Sequence, residues 1–216
     1  MEDLSLSQEF FLLSLNEKGK ISSINTDLNV CVVASALFEL SLRNIVKIED
    51  KKTEVIEELP QDMEYLLSFY KYLKEKVRKI NNIISDYTQS FSGKKIYNLY
   101  YDLGQSLYKN NIVDFKEKGK LDSMDIFIPK KSIVENIINE IKKELLGSEK
   151  LDVKTVVLTN LLDKSHQLKQ YFSSYEKKDL KNRLKEIKNS EENKMIQDML
   201  SYIDFLTTVI FVPYMS

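Results

Sequence analysis

One cysteine, one histidine, three prolines and five glycines are all that the 216 residues contain of those types. The single Cys31 excludes an intramolecular disulfide and a zinc site built from four cysteines. Set in an apolar helix, it reads as a small core residue. The single His166 excludes a histidine-based metal cluster or a repeated proton shuttle. It falls in a predicted helix beside Asp163 and Lys164 and reads as a satisfied or solvated side chain. With so little proline and glycine there are few forced breaks, which favours long helices over a sandwich or a strand-rich barrel. Charge of one sign is lacking too. The 32 basic and 33 acidic residues leave a net charge of −1, so attraction to a polyanion must come from local patches. The most hydrophobic run, Phe205–Val212, is far below the roughly 20 residues a membrane-spanning helix needs. Acidic residues come early and no basic region precedes the first apolar segment, so no secretory signal is visible. The expected location is the cytoplasm, including the cytosolic face of a membrane. Motifs of the P-loop, GxGxxG, GxSxG and HExxH types are absent. No enzyme activity, cofactor or metal is expected.

What is present suits a single domain over 1–216, mainly α, a helix bundle with outer amphipathic helices and one or two short β-hairpins. Apolar residues make up 43% and charged residues 30%, the balance of a globular protein. The opening stretch organises the rest. Ser5, three residues before Gln8, forms a capping box. Phe10, Phe11, Leu12, Leu13 and Leu15 make the first helix apolar on nearly all sides, which predicts burial. Gly19 supplies a turn. A second helix starts near Asn25–Asp27 and carries Val30, Val33, Leu37 and Leu40 at helical spacing. Glu39 lies in that apolar helix and needs a partner; Arg43, one turn on, predicts a structural ion pair. Ile45, Val46 and Ile48 form a strand, returned by Thr53–Ile56 across Asp50-Lys51-Lys52.

Leu66, Phe69, Leu73, Val77, Ile80 and Ile84 form one continuous helical stripe, with Lys71, Lys74, Arg78 and Lys79 on other faces; a basic amphipathic helix can lie on a membrane, but Glu64 and Glu75 dilute it, which favours a solvated outer face. After a break at 91–95, a helix carries Leu99, Tyr100, Leu103 and Leu107, with Gly104 allowing another helix to approach. A β-hairpin follows at about 112–129, its tip exposed and basic with Lys116, Lys118 and Lys120. Ser132 and Glu135 read as a second capping box. Asp152 caps a helix whose buried face runs from Val153 through Leu168 to Phe172. A helix on Leu180, Leu184 and Ile187 follows, and Ser190–Glu192 opens the last. A helix-rich chain with a β-ribbon raises the winged-helix possibility, but the second helix is too apolar to read base edges and the pI is near 6.0, so nucleic acid is not an expected partner.

LSLSQEFFLLSLNEKGKI followed by ALFELSLRNIVKIE resembles the opening of the Golgi phosphoprotein 3 family: a leucine-rich helix, an acidic turn with glycine, then a helix ending in Glu-Leu-Ala-Leu-Arg-Gly-Arg before a strand. Glu39, Leu40, Leu42 and Arg43 match that ending, and Asn44 and Ile45 replace its Gly and second Arg. LYKNNIVDFKEKGKLDSMDIFIPKKS and LDVKTVVLTNLLDKSHQLKQYF resemble the family's hairpin region and long later helix. The resemblance implies a non-catalytic peripheral membrane protein. Eukaryotic members bind phosphatidylinositol 4-phosphate in a basic pocket, push a hydrophobic hairpin toward the bilayer and hold glycosyltransferase tails. Here the pocket Trp falls at Ile24, one pocket Arg at Val33, and two further Args at Tyr97 and Tyr100. A phenol cannot replace a bidentate guanidinium on a phosphomonoester; Lys94 and Lys95 are the nearby substitute cations. At the hairpin, Phe127 is the bulky residue for insertion. The expectation is therefore headgroup binding of this type with its usual pocket residues substituted, on anionic phospholipid. The alternative is a soluble protein–protein adaptor or homo-oligomer without lipid specificity.

Overall fold

The computed structural model describes residues 4–21, 26–90, 92–119, 124–147, 151–189 and 194–210. Ile24, Asn25, Lys120 and the Ser190–Glu192 helix start lie outside them. The chain is 67% helical. Helix α1 (Leu6–Ser14) has every residue buried and packs against α2 (Thr26–Leu42), α5 (Lys94–Lys109) and α7 (Val153–Lys164). Ser5 and Gln8 close the reciprocal capping box. One contiguous apolar cluster joins Phe10, Phe11 and Leu13 to Phe38, Leu103, Leu161 and Ile203.

Strands β1 (Val46–Glu49) and β2 (Lys52–Val55) pair antiparallel with Val46 opposite Val55. Their two-residue turn places Asp50 and Lys51 at positive φ, as a type I′ hairpin turn requires. Beyond a 3₁₀ turn at Gln61–Leu66, the predicted continuous helix is instead three elements: α3 (Leu67–Lys74), a short strand β3 (Arg78–Lys79) and α4 (Ile80–Thr88). The reason lies with Arg78. Its Nε donates to the Tyr72 carbonyl at 3.3 Å and its guanidinium sits 4.1 Å over the Tyr72 ring, so it ties off the last turn of α3. Val77, on the predicted buried stripe, is 53% exposed. Strand β3 makes the first sheet three-stranded, in the order β1-β2-β3.

Scarce glycine does not limit breaks as composition suggests. Asn44, Asn111 and His166 adopt left-handed φ of 56°, 57° and 61° just past the ends of α2, α5 and α7. At each, the following N–H reaches five residues back: Ile45 to Leu40, Ile112 to Leu107 and Gln167 to Leu162. These are Schellman closures with asparagine or histidine where glycine is usual. The expected helix through His166 therefore stops at Lys164, and a short α8 (Leu168–Tyr171) follows.

Strands β4 (Val113–Lys116) and β5 (Ile126–Pro129) form the second hairpin, with Phe115 opposite Phe127. Helix α6 (Lys131–Ile141) starts at Lys131 and has no side-chain cap. The predicted capping box at Ser132 and Glu135 is corrected: Ser132 already lies inside the first turn, and the Lys130 carbonyl accepts from Ile133 and Val134 instead. Asp152 does cap α7, accepting from the Lys154 N–H. Helices α9 (Ser174–Asn189) and α10 (Lys194–Ile210) pack on α7.

Candidate functional site

The start of α5, the turn after α1 and strand β5 enclose a small cleft lined by Phe11, Leu15, Gly19, Ile21, Tyr97, Tyr100, Tyr101, Met124, Asp125 and Phe127. Two glycines set its shape. Gly19 has φ +71°, and a Cβ there would stand 2.6 Å from the Phe127 carbonyl carbon. The Phe127 N–H donates to the Gly19 carbonyl at 3.1 Å. A Cβ on Gly104 would lie 2.4 Å from the Phe127 ring, so the expected approach at Gly104 is made by a hairpin side chain, not by a helix. Phe127 also packs edge-on to Phe11 at 6.2 Å and against Phe115 at 5.3 Å. It is 3% exposed. The expectation that Phe127 inserts into a bilayer is therefore corrected: its ring points inward over Gly104, and Gly19 lets the strand backbone approach.

Tyr97 and Tyr100 meet at this cleft, and both phenols are engaged. The Tyr97 hydroxyl donates to Asp125 Oδ2 at 2.7 Å. That bond, with partial burial, pushes its pKa up to about 12. Asp125 Oδ1 accepts the Lys118 N–H at 2.8 Å, and the Lys118 ammonium lies 5.1 Å over the Tyr97 ring. Tyr100 is buried, its hydroxyl donating to Asn29 Oδ1 at 2.6 Å, and burial raises its pKa. The cavity of about 20 Å³ has room for about one water molecule. A phosphomonoester there would face the Asp125 carboxylate, with no guanidinium among the described lining side chains.

The other positions proposed for a pocket do not join it. Val33 is fully buried in the core. Lys94 and Lys95 are exposed at the first turn of α5, and Lys95 turns to Asp86 at 3.8 Å and the Tyr72 ring at 4.5 Å. Lys116 is exposed on β4. Among the described candidate positions, the structure thus brings Tyr97, Tyr100, Phe127 and Lys118 together.

Glu39 is buried, as its apolar setting implies, but Arg43 is not its partner. Glu39 Oε2 accepts the Ser7 N–H at 2.7 Å, and Oε1 takes the Tyr65 hydroxyl. Arg43 reaches out to Asp62 at 3.0 Å, where both side chains are more than half exposed. Ser7 lies in the first turn of α1, whose N–H groups have no partner within the helix, so the carboxylate caps that helix and meets the positive end of its dipole. Burial and the neighbouring carboxylate raise the Tyr65 pKa. Long sequence separation hid this arrangement; an aromatic hydroxyl after the strand pair was its only signal.

Above this pair an open polar groove of about 800 Å³ is lined by Ser5, Gln8, Arg43, Tyr65, Tyr101 and Asp102, among others. Asp102 has its pKa raised by burial and accepts the Ser68 hydroxyl at 2.6 Å. Glu9 pairs with Lys154 at 3.0 Å, tying α1 to α7. His166 is exposed, with Nε2 3.4 Å from Asp27. Cys31 is buried and its thiol pKa is raised by that burial. Among the described residues no group of three or more His, Cys, Asp or Glu side chains is placed to share a metal ion, and no helix is long and apolar enough to cross a membrane. Glu39 and Glu9 tie α1 to its neighbours, and Asp102 holds the Ser68 hydroxyl.

No curated protein matches the chain. The family model described as Golgi phosphoprotein 3 (GPP34) matches residues 6–203, a span that runs from the first helix to the last and includes the hairpin and the cleft. The chain therefore belongs to the Golgi phosphoprotein 3 family.

Proposed function

We propose that this family member is a non-catalytic peripheral protein that attaches to anionic bilayers through surface charge, without a phosphomonoester-reading pocket at Tyr97 and Tyr100. Family membership supports the binding role, since the family is generally non-catalytic. The observation that carries the qualification is Asp125. Its carboxylate stands in the cleft that the resemblance assigns to a phosphate, and it already holds Tyr97 and the Lys118 backbone. Charge-based attachment needs only exposed lysines near the bilayer, at about 1 kcal/mol each. Headgroup reading needs fixed donors converging on a phosphate.

Vesicle co-sedimentation tests this directly. Phosphatidylserine and phosphatidylinositol 4-phosphate vesicles of matched surface charge should bind equally, and salt should weaken both. Strong preference for the phosphoinositide would overturn the proposal. No binding to either, with a defined oligomer in solution, would favour the adaptor reading. That reading draws support from Tyr101, 39% exposed, on the rim of the polar groove.

A further inference from the structure

Strand β3, absent from the sequence-based expectation, creates an unusual juxtaposition. In the β2–β3 register, Lys52 stands directly opposite Lys79. Like charges directly opposed on a sheet are destabilising, so the pairing carries a local cost. Lys76, in the connection to β3, and Arg78, its first residue, lie on either side of Val77. Together with Asn82, Ser85 and Asp86 of α4, these residues line an open cleft of about 720 Å³. Lys52, Lys76 and Lys79 are exposed, and among the described residues none of the three has a carboxylate within 4.0 Å. Arg78 is different: its guanidinium pairs with Glu75 at 2.5 Å and its side chain is 9% exposed, so it serves the fold. The single lining carboxylate, Asp86, accepts the Tyr72 hydroxyl at 2.6 Å and lies 3.8 Å from Lys95.

We infer that this cleft, with Val77 on its rim, is the face that docks on an anionic bilayer; the inference deepens the proposed function and rests on it. Three free ammonium groups around one concavity are complementary to a layer of lipid phosphates and carboxylates. Binding such a surface relieves the Lys52–Lys79 repulsion, which no internal carboxylate offsets. Val77, 53% exposed between the cations, is placed to enter the headgroup boundary beside them. On the far side of Val77 the neighbouring groove is mixed in charge, with Glu54, Glu57 and Glu58 beside Lys74 and Lys76 and Glu58 paired to Lys74 at 2.5 Å, and its glutamates unpaired among the described residues bound the docking face on one edge. A nucleic acid is the weaker fit, because single strands call for aromatic stacking platforms and no aromatic side chain lines the cleft.

The test uses the full chain and phosphatidylserine vesicles at low salt, comparing wild type, K76E, K79E and K116E/K118E. K79E puts opposite charges across the β2–β3 pair, so its urea midpoint should equal or exceed that of wild type. Its vesicle affinity should fall about tenfold or more, given roughly fivefold for each lysine neutralised near the surface. K76E, in the connection and outside the strand pairing, should lose affinity similarly. K116E/K118E at the other hairpin should stay within about twofold of wild type. Wild-type binding that K76E and K79E leave unchanged overturns the inference while the proposed function stands. Absence of wild-type binding overturns both. Equal or tighter binding to an RNA oligonucleotide, with the same loss in K79E, overturns the bilayer assignment.

Discussion

Two clefts of this molecule are built from opposite materials. At the hairpin, Tyr97, Asp125 and the Lys118 backbone satisfy one another, Tyr100 is held by Asn29, and the residual cavity is about 20 Å³. At the first sheet, Lys52 stands opposite Lys79, neither within 4.0 Å of a carboxylate among the described residues, around an open volume of about 720 Å³ that Asp86 also lines. A buried polar group stabilises a fold when its partner is internal, and an exposed charge without an internal partner is left available to something outside. By that measure the hairpin cleft is architecture and the lysine cleft is the surface proposed for binding, although the family resemblance directs attention to the first.

The largest expected effect concerns the architectural side. Replacing Phe127 by Ala should destabilise by about 3–5 kcal/mol in urea unfolding, because the buried ring fills the space above Gly104. A loss near zero would return Phe127 to the role of a free insertion residue and break the comparison. G104V, which drives a side chain into the same ring, should cost about 1–3 kcal/mol.

Next comes the buried carboxylate. E39A should cost about 1–3 kcal/mol for each orphaned partner, the Ser7 N–H and the Tyr65 hydroxyl. R43A should cost no more than about 1 kcal/mol, as an exposed pair with Asp62. A double-mutant cycle between Glu39 and Arg43 should give a coupling under about 0.5 kcal/mol; a larger value would restore the ion pair that sequence spacing suggests.

Smaller still is Tyr97. Y97F should cost about 1 kcal/mol through the lost bond to Asp125 and leave vesicle binding unchanged. The pH dependence of that bond has a definite sign. The folded pKa of Tyr97 is raised from 10.0 to about 12, so its contribution is fully present below pH 10 and is lost as pH rises through 12. Urea midpoints of wild type and Y97F should therefore run parallel from neutral pH to about 9 and converge above about 11. Parallel curves through the alkaline range would show that Asp125 does not hold the phenol.

How much of this was legible in the sequence follows from range. The Ser5–Gln8 capping box, the buried α1, the positive φ of Gly19 and the Asp152 cap are local, and local spacing reveals them. The mainly α class and the two hairpins were legible for the same reason. Glu39 was legible as buried but not as the cap of α1, because Ser7 lies 32 residues before it and Tyr65 lies 26 after. Arg43 was merely the nearest cation in the chain. Spacing in β5 does not say which residues meet the core: Ile126 and Phe127 are both buried, and it is the distant Gly104 that makes room for the Phe127 ring. The stripe from Leu66 to Ile84 keeps helical spacing across a real break, because Arg78 ends α3 through a carbonyl and a ring that periodicity does not register. Missing that break hid β3, and with it the opposition of Lys52 and Lys79.

Hydrogen–deuterium exchange on the full chain, with and without phosphatidylserine vesicles, tests the central claim most directly. Slowed exchange should appear in peptides covering Lys52–Val55 and Lys76–Asn82, with no change across Lys94–Tyr101 or Met124–Phe127. Protection confined to the start of α5 and the second hairpin would contradict the account and return the binding site to the cleft of Tyr97 and Asp125.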